Sequence, residues 1–221
     1  MNIKSTLSSI RTKITFAQFA IIGLIGAATI LFLELSEDVW LKEGFTWDAP
    51  IMLWLHQWRT PWLDNLFVAV TQSAGPWIVV GLILAGIMLW RRRERKTAVF
   101  LLASFAGSAA LNALLKLFFA RPRPNVFPPI TVETSFSFPS GHTMAAISLY
   151  GLAAILLWQR QRHGWALLAG LWVPLVALSR VYLGVHYPSD VLASLAVGTI
   201  WLILVLFLFT RTASRISATV K

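Results

Sequence analysis

The sequence predicts an all-α integral membrane protein: a bundle of six transmembrane helices with an interfacial helix in its first outer loop, residues 1–221 forming one membrane-embedded domain. Three observations predict it. The 221 residues are 57% hydrophobic and 13% charged, whereas soluble domains average about 25% charged. Mean hydropathy is +0.70. Six apolar runs recur, at about 14–33, 66–90, 97–115, 143–158, 164–179 and 191–210, and most approach the ~20 residues that a spanning helix needs.

The first run follows Lys4, Arg11 and Lys13. It is longer than the apolar core of a signal peptide, and no small-x-small cleavage pattern precedes the acidic stretch, so it reads as a retained anchor. The outer segment 34–64 carries Trp40, Trp47, Trp54, Trp58 and Trp62. The last three recur every four residues and would share one helical face. Trp favours the headgroup layer, so this segment is expected to hold a helix lying in the interface, as a plain aromatic anchor or as a guide for lipid.

Gln72, Ser73, Gly75 and Pro76 interrupt the second run, so its span is expected to start near Gly75, with the preceding part lying along the surface. RRRERK, residues 91–96, then acts as a stop signal. The fourth and fifth runs are short and either span with the help of their polar ends or sit buried in the bundle. Pro174 should kink the fifth, which neighbouring helices tolerate in a bilayer. Pro188 suits the first position of the last helix, with Asp190 in its first turn. Small residues such as Gly81 and Ala85 permit close helix contact within one chain or between chains, so the oligomeric state stays open.

The net charge of +10 does not signal nucleic-acid binding, because the cations cluster beside apolar spans rather than on a polar domain. Their asymmetry gives orientation instead. With six spans and both termini inside, thirteen of the nineteen Lys and Arg fall on inner segments, and eight of the nine acids fall on outer ones. Positive residues collect on the cytoplasmic side. The expectation is a cytoplasmic (inner) membrane protein whose termini are cytoplasmic and whose segments 116–142 and 180–190 share the outer, periplasmic face.

Those segments concentrate the polar chemistry. Lys116, Arg121, Arg123 and Arg180 are fixed cations, and His142 and His186 can move protons near neutral pH. Ser140 and Gly141 open a helix, whose free N–H groups suit an anion. Asp190 and Glu133 are the nearby carboxylates. Arg forks match phosphate oxygens bidentately and Lys adds a point charge. Phosphoryl transfer needs positioning and charge neutralisation above all. Two acids make a poor Mg²⁺ cage, so no metal or cofactor is expected, with Lys and Arg in its place. There is no Cys for a thiolate nucleophile, thiolate metal site or disulfide.

Two histidines divide the labour of a phosphatase. The one with a neighbouring carboxylate is the better nucleophile, because the acid fixes its tautomer and stabilises developing charge. That selects His186 with Asp190 and leaves His142 as general acid. Pro188 lies between His186 and Asp190, so spacing alone does not prove the pair. Simpler roles compete for single residues: snorkelling for Lys116 and Arg123, a turn and helix cap for residues 139–142, and an Arg180–Asp190 salt bridge. Arg121 reads as a support for a neighbouring group or a headgroup contact. His56 and His163 stand apart and read as surface residues.

Taken together, Lys116 followed after six residues by Arg123-Pro124, then Pro139-Ser140-Gly141-His142, then Ser179-Arg180, His186 and Asp190, resemble the tripartite signature of the type-2 phosphatidic acid phosphatase superfamily. The resemblance implies a phosphohistidine at His186, oriented by Asp190, with His142 protonating the leaving group. It implies phosphate held by Lys116, Arg123, Arg180, Ser140 and the Gly141 backbone, without a required metal. The expected activity is hydrolysis of a lipid phosphate: undecaprenyl pyrophosphate, phosphatidylglycerol phosphate or phosphatidic acid. The alternatives are a lipid phosphotransferase using the same histidine and a non-catalytic phospholipid-binding or transport protein. Two histidines and a carboxylate weigh against the last, since binding alone needs only cations.

Overall fold

The computed structural model describes residues 3–219, with side chains for Phe16 and for residues 18–210. Among the described residues the regular structure is helical throughout. The elements are α1 (Ile3–Leu41), α2 (Asp48–His56), α3 (Pro61–Gln72), α4 (Trp77–Arg91), α5 (Arg95–Phe119), α6 (Gly141–Ala146), a π-helical turn (Ile147–Gly151), α7 (Leu152–Gln159), α8 (His163–Tyr182) and α9 (Pro188–Thr219).

Five stretches are long and apolar enough to cross a membrane: Gln18–Leu41, Arg95–Phe119, Gly141–Gln159, His163–Tyr182 and Pro188–Thr210. α3 and α4 form a sixth only as a pair, bent by 47° at the break between them. The six apolar runs of the sequence correspond to these stretches. The cations counted at the termini, Lys4, Arg11, Lys13, Arg211, Arg215 and Lys221, have side chains outside the described residues.

Burial of apolar side chains on one side of each helix assembles the bundle. Ile78, Leu82 and Leu89 of α4 pack with Leu101 of α5, Ile147, Leu152 and Leu202 of α9. At the other end Leu35 and Val39 of α1 meet Phe138 and Ala193. The outer helix faces keep large apolar residues exposed, such as Leu84, Leu114, Leu167 and Leu171, as suits contact with acyl chains.

Two local details differ from the pattern in the sequence. Trp54, Trp58 and Trp62 are all exposed, but no single helix carries them. α2 ends at His56, and Thr60 caps α3 by accepting a hydrogen bond from the Leu63 N–H, with Pro61 in the first helical position. Proline disfavours helical geometry in the residue before it, which breaks the four-residue periodicity at Thr60. The stretch before Gly75 is helical, and its Phe67 is buried with Tyr182, Leu183 and Val185, which joins α3 to the end of α8.

Candidate active site

The site forms where three segments meet: the end of α5 with the loop 120–140, the start of α6, and the tight turn between α8 and α9. α5 stops at Ala120, whose left-handed backbone (φ 45°) closes onto the Lys116 carbonyl. The α8–α9 turn needs Gly184 in the same region (φ 77°), with the Phe127 ring packed where a side chain would stand. This turn delivers His186. α9 then starts at Pro188, and the Asp190 carboxylate reaches back to the Tyr187 N–H at 2.9 Å, half of a capping box. That backward reach brings Asp190 to His186 although Pro188 lies between them.

His186 is held at both ring edges. Its Nδ1 lies 3.4 Å from Asp190 Oδ2 and 3.4 Å from Ser137 Oγ. Its Nε2 lies 3.3 Å from Arg123 Nη1. Ser137 Oγ also donates to Asp190 Oδ2, and Arg121 Nη1 donates to Asp190 Oδ1 at 2.5 Å. Burial lowers the His186 pKa to about 4, against the hydrogen bond to Asp190, which works to raise it.

The three predicted phosphate cations converge on one strip of chain. Lys116 Nζ donates to Ser135 Oγ at 3.1 Å and to the Phe136 carbonyl. Arg123 donates from Nε to the Ser135 carbonyl at 2.7 Å and from Nη1 to the Val185 carbonyl at 2.7 Å. Arg180, 1% exposed, donates from Nη1 to Thr71 Oγ1 at 2.6 Å and pairs through Nη2 with Glu133. Its buried Nε has no partner. The carboxylate of Glu133 also lies 3.9 Å from Arg123. Burial pushes the Glu133 pKa up, but the charge and hydrogen bond of Arg180 outweigh it and hold the group below its ordinary value. The carboxylate partner of Arg180 is thus Glu133, not Asp190.

At the start of α6, Ser140 is fully buried. Its N–H donates to Ser194 Oγ at 2.6 Å and its Oγ accepts from Thr143 at 3.1 Å. Gly141 lies against Asn112. His142 is partly exposed and within electrostatic reach of Arg180, Glu133, His186 and Arg123. Lys116, Arg123, Arg180, His142, His186 and Asp190 therefore gather in one place, while the Ser140 hydroxyl and N–H are tied into the surrounding helices. Among the described residues no group of three His, Asp or Glu side chains is placed to hold a metal ion.

The structure also supplies residues that the motifs do not contain. Arg121 bridges two buried carboxylates, Asp190 and Asp48 of α2, the second at 3.0 Å. Its guanidinium lies 4.3 Å from the Tyr187 ring centroid, so it supports these neighbours. Asp48 accepts from the Ser189 N–H at 2.9 Å and from Ser189 Oγ at 2.5 Å. Burial raises the Asp48 pKa, opposed by Ser189 and Arg121. Asp48, Thr71, Ser135 and Ser137 carry no signal in the sequence beyond being polar in a chain poor in polar residues.

Comparison with known proteins shows the family. Residues 97–213 match the PAP2 superfamily. The chain is 33% identical over 154 residues to phosphatidylglycerophosphatase B of Bacillus subtilis, covering 66% of this chain and 75% of that one. It is 36% identical over 158 residues to an undecaprenyl-diphosphatase of the same organism, covering 67% and 74%. The crystal structure of a transmembrane PAP2-type phosphatidylglycerolphosphate phosphatase from Bacillus subtilis superposes with a TM-score of 0.77 at 28% identity, over 85% of this chain and 96% of that one. LpxE of Aquifex aeolicus gives 0.62 at 26% identity, over 74% and 97%. The matched segment takes in every motif residue gathered at the site and more than half of the sequence, and on that ground the chain belongs to the PAP2 superfamily.

Proposed function

We propose that the protein is a membrane-integral lipid phosphate phosphatase, one domain over residues 1–221, working through a phosphohistidine on His186. The observation that carries the proposal is the double grip on that ring: Asp190 at Nδ1, 3.4 Å away, and Arg123 at Nε2, 3.3 Å away. A carboxylate at Nδ1 keeps the proton there and leaves Nε2 unprotonated. A guanidinium at Nε2 draws a phosphate to the atom that attacks it.

In the first step the Nε2 lone pair forms the N–P bond and the ester P–O bond breaks, its electron pair going to the leaving oxygen. His142 donates the proton that oxygen takes up. Asp190 stabilises the positive charge on the ring, and Lys116, Arg123, Arg180 and the Gly141 backbone hold the non-bridging oxygens, with Ser140 beside them. In the second step His142 accepts a proton from water as the water attacks phosphorus, the P–N bond breaks and phosphate leaves. Preorganised charge of this kind is usually the largest single contribution to catalysis.

The relatives named for phosphatidylglycerophosphate and undecaprenyl diphosphate support a lipid carrying a phosphate monoester or diphosphate; phosphatidic acid is a third candidate. The cation asymmetry supports a cytoplasmic membrane location with both termini inside and the site at the periplasmic leaflet. Phosphate release from a panel of these lipids by purified protein tests the reading. Wild-type turnover and its loss in His186→Ala are expected. Full release by His186→Ala would rule out the mechanism, and label recovered on a second lipid would mark phosphotransfer in place of hydrolysis.

A further inference from the structure

The break between α3 and α4 lies against His142. A Cβ built on Gly75 would come within 2.8 Å of His142 Nε2, 3.4 Å of its Cδ2 and 3.5 Å of the Thr71 carbonyl. The glycines with positive φ among the described residues are Gly44 and Gly184, so the backbone at 75 suits any L residue. What a side chain lacks there is space.

The break is also pinned. Tyr150 Oη donates to the Ser73 carbonyl at 2.9 Å and Trp172 Nε1 donates to Ser73 Oγ at 2.8 Å. Four residues before Gly75, Thr71 takes the hydrogen bond from Arg180. The same short stretch thus touches a phosphate cation and the histidine read above as the acid. Gly75 also lines, with Ile78, Phe105, Asn112 and Gly141, a cavity of about 300 Å³.

We propose that Gly75 is a positioning residue for proton donation: the absence of its side chain lets the His142 ring pack against the break, which holds Nε2 in the place from which it protonates the leaving oxygen. The point where a Cβ would stand is 2.8 Å from Nε2, closer than a non-bonded carbon can approach. A methyl group there pushes the ring aside. The ring yields first, because the clash is with the far end of a side chain rather than with backbone. The inference rests on His142 being the general acid.

Leaving-group dependence tests it. An alkyl phosphate such as phosphatidic acid needs its leaving oxygen protonated; a nitrophenolate leaves without a proton. Turnover of phosphatidic acid and of an alkyl-tailed nitrophenyl phosphate is measured for wild type, Gly75→Ala, Tyr150→Phe and His142→Ala in detergent micelles. General acid catalysis contributes about 10²–10⁴-fold. Gly75→Ala should lose at least ~10-fold in kcat/KM, which reports the leaving-group step alone, on phosphatidic acid and stay within about 3-fold of wild type on the aryl ester, a shallower copy of His142→Ala. Tyr150→Phe, which loosens the break without entering the site, should lose several-fold in the same pattern, and decides the matter if Gly75→Ala does not keep the wild-type unfolding midpoint. Equal losses on both substrates, or none, overturn the inference while a selective His142→Ala leaves the proposed function standing. A His142→Ala that shows no selectivity removes the acid itself and this inference with it.

Discussion

The Glu133 carboxylate pairs through Oε1 with the buried guanidinium of Arg180 and lies, through Oε2, 3.9 Å from Arg123. One anion spanning two arginines is the arrangement expected of a substrate phosphate. Ser135 and Phe136 meanwhile satisfy Lys116 and Arg123 with neutral oxygens. A phosphate entering between the arginines must displace the Glu133 charge. Glu133→Gln keeps the shape and removes the charge, so inorganic phosphate should inhibit the variant more tightly. A partly exposed ion pair contributes up to ~1 kcal/mol, which corresponds to an up to roughly 5-fold lower Ki. Competitive inhibition kinetics check it; an unchanged or higher Ki would show that Glu133 does not compete.

Arg121 is shared by Asp190 and Asp48, both almost fully buried. Removing the cation strands two carboxylates, and breaking a buried pair costs about 3–5 kcal/mol. Arg121→Gln should therefore lower the unfolding midpoint sharply. Asp48→Asn in the same chain should restore part of the loss, because one of the stranded charges is gone. The double-mutant cycle in detergent should show a coupling of about 1–3 kcal/mol. Strict additivity would mean that the bridge contributes nothing.

In the proposed site Lys116, Arg123 and Arg180 supply the charge that holds phosphate, so turnover should be independent of divalent cations. Wild-type kcat measured with excess EDTA should match that measured without it. A loss restored by Mg²⁺ would contradict the all-cation site.

The helices were legible in the sequence because hydropathy over some twenty residues is a local property. The motif residues were legible because each lies at a helix end or in the loop beside one, where a polar group in a membrane chain has few structural uses. The partners of those residues were not. Asp48 is 141 residues from Ser189, and nothing local announces that contact. Glu133 stood out as a nearby carboxylate, but only packing shows that Arg180 pairs with Glu133 and not with Asp190. Gly75 and Pro76 looked like an interruption of an apolar run; the reason for a glycine at 75 appears only when the His142 ring is beside it. The tryptophan spacing misled because Pro61 breaks the helix that the period assumes.

His186 gives the pH dependence. Its ordinary value is 6.5, and in the protein burial lowers it to about 4, with Asp190 acting in the opposite sense. Above about 4 the ring is neutral and its Nε2 lone pair is available. The acid limb of kcat/KM due to the nucleophile should therefore lie near pH 4, once the titration of the substrate phosphate, followed by ³¹P NMR, is divided out. The same shift sets stability. Below 6.5 the unfolded chain takes up a proton at this histidine that the native chain refuses until about 4. The contribution is complete above 6.5 and is lost progressively as pH falls toward 4, on the order of 3 kcal/mol in all. Unfolding midpoints should fall over that window in wild type and fall less in His186→Gln, which cannot take up the proton. An acid limb near 6.5, or equal slopes in the two proteins, would mean that His186 titrates as a solvated histidine and is not held as the buried neutral nucleophile.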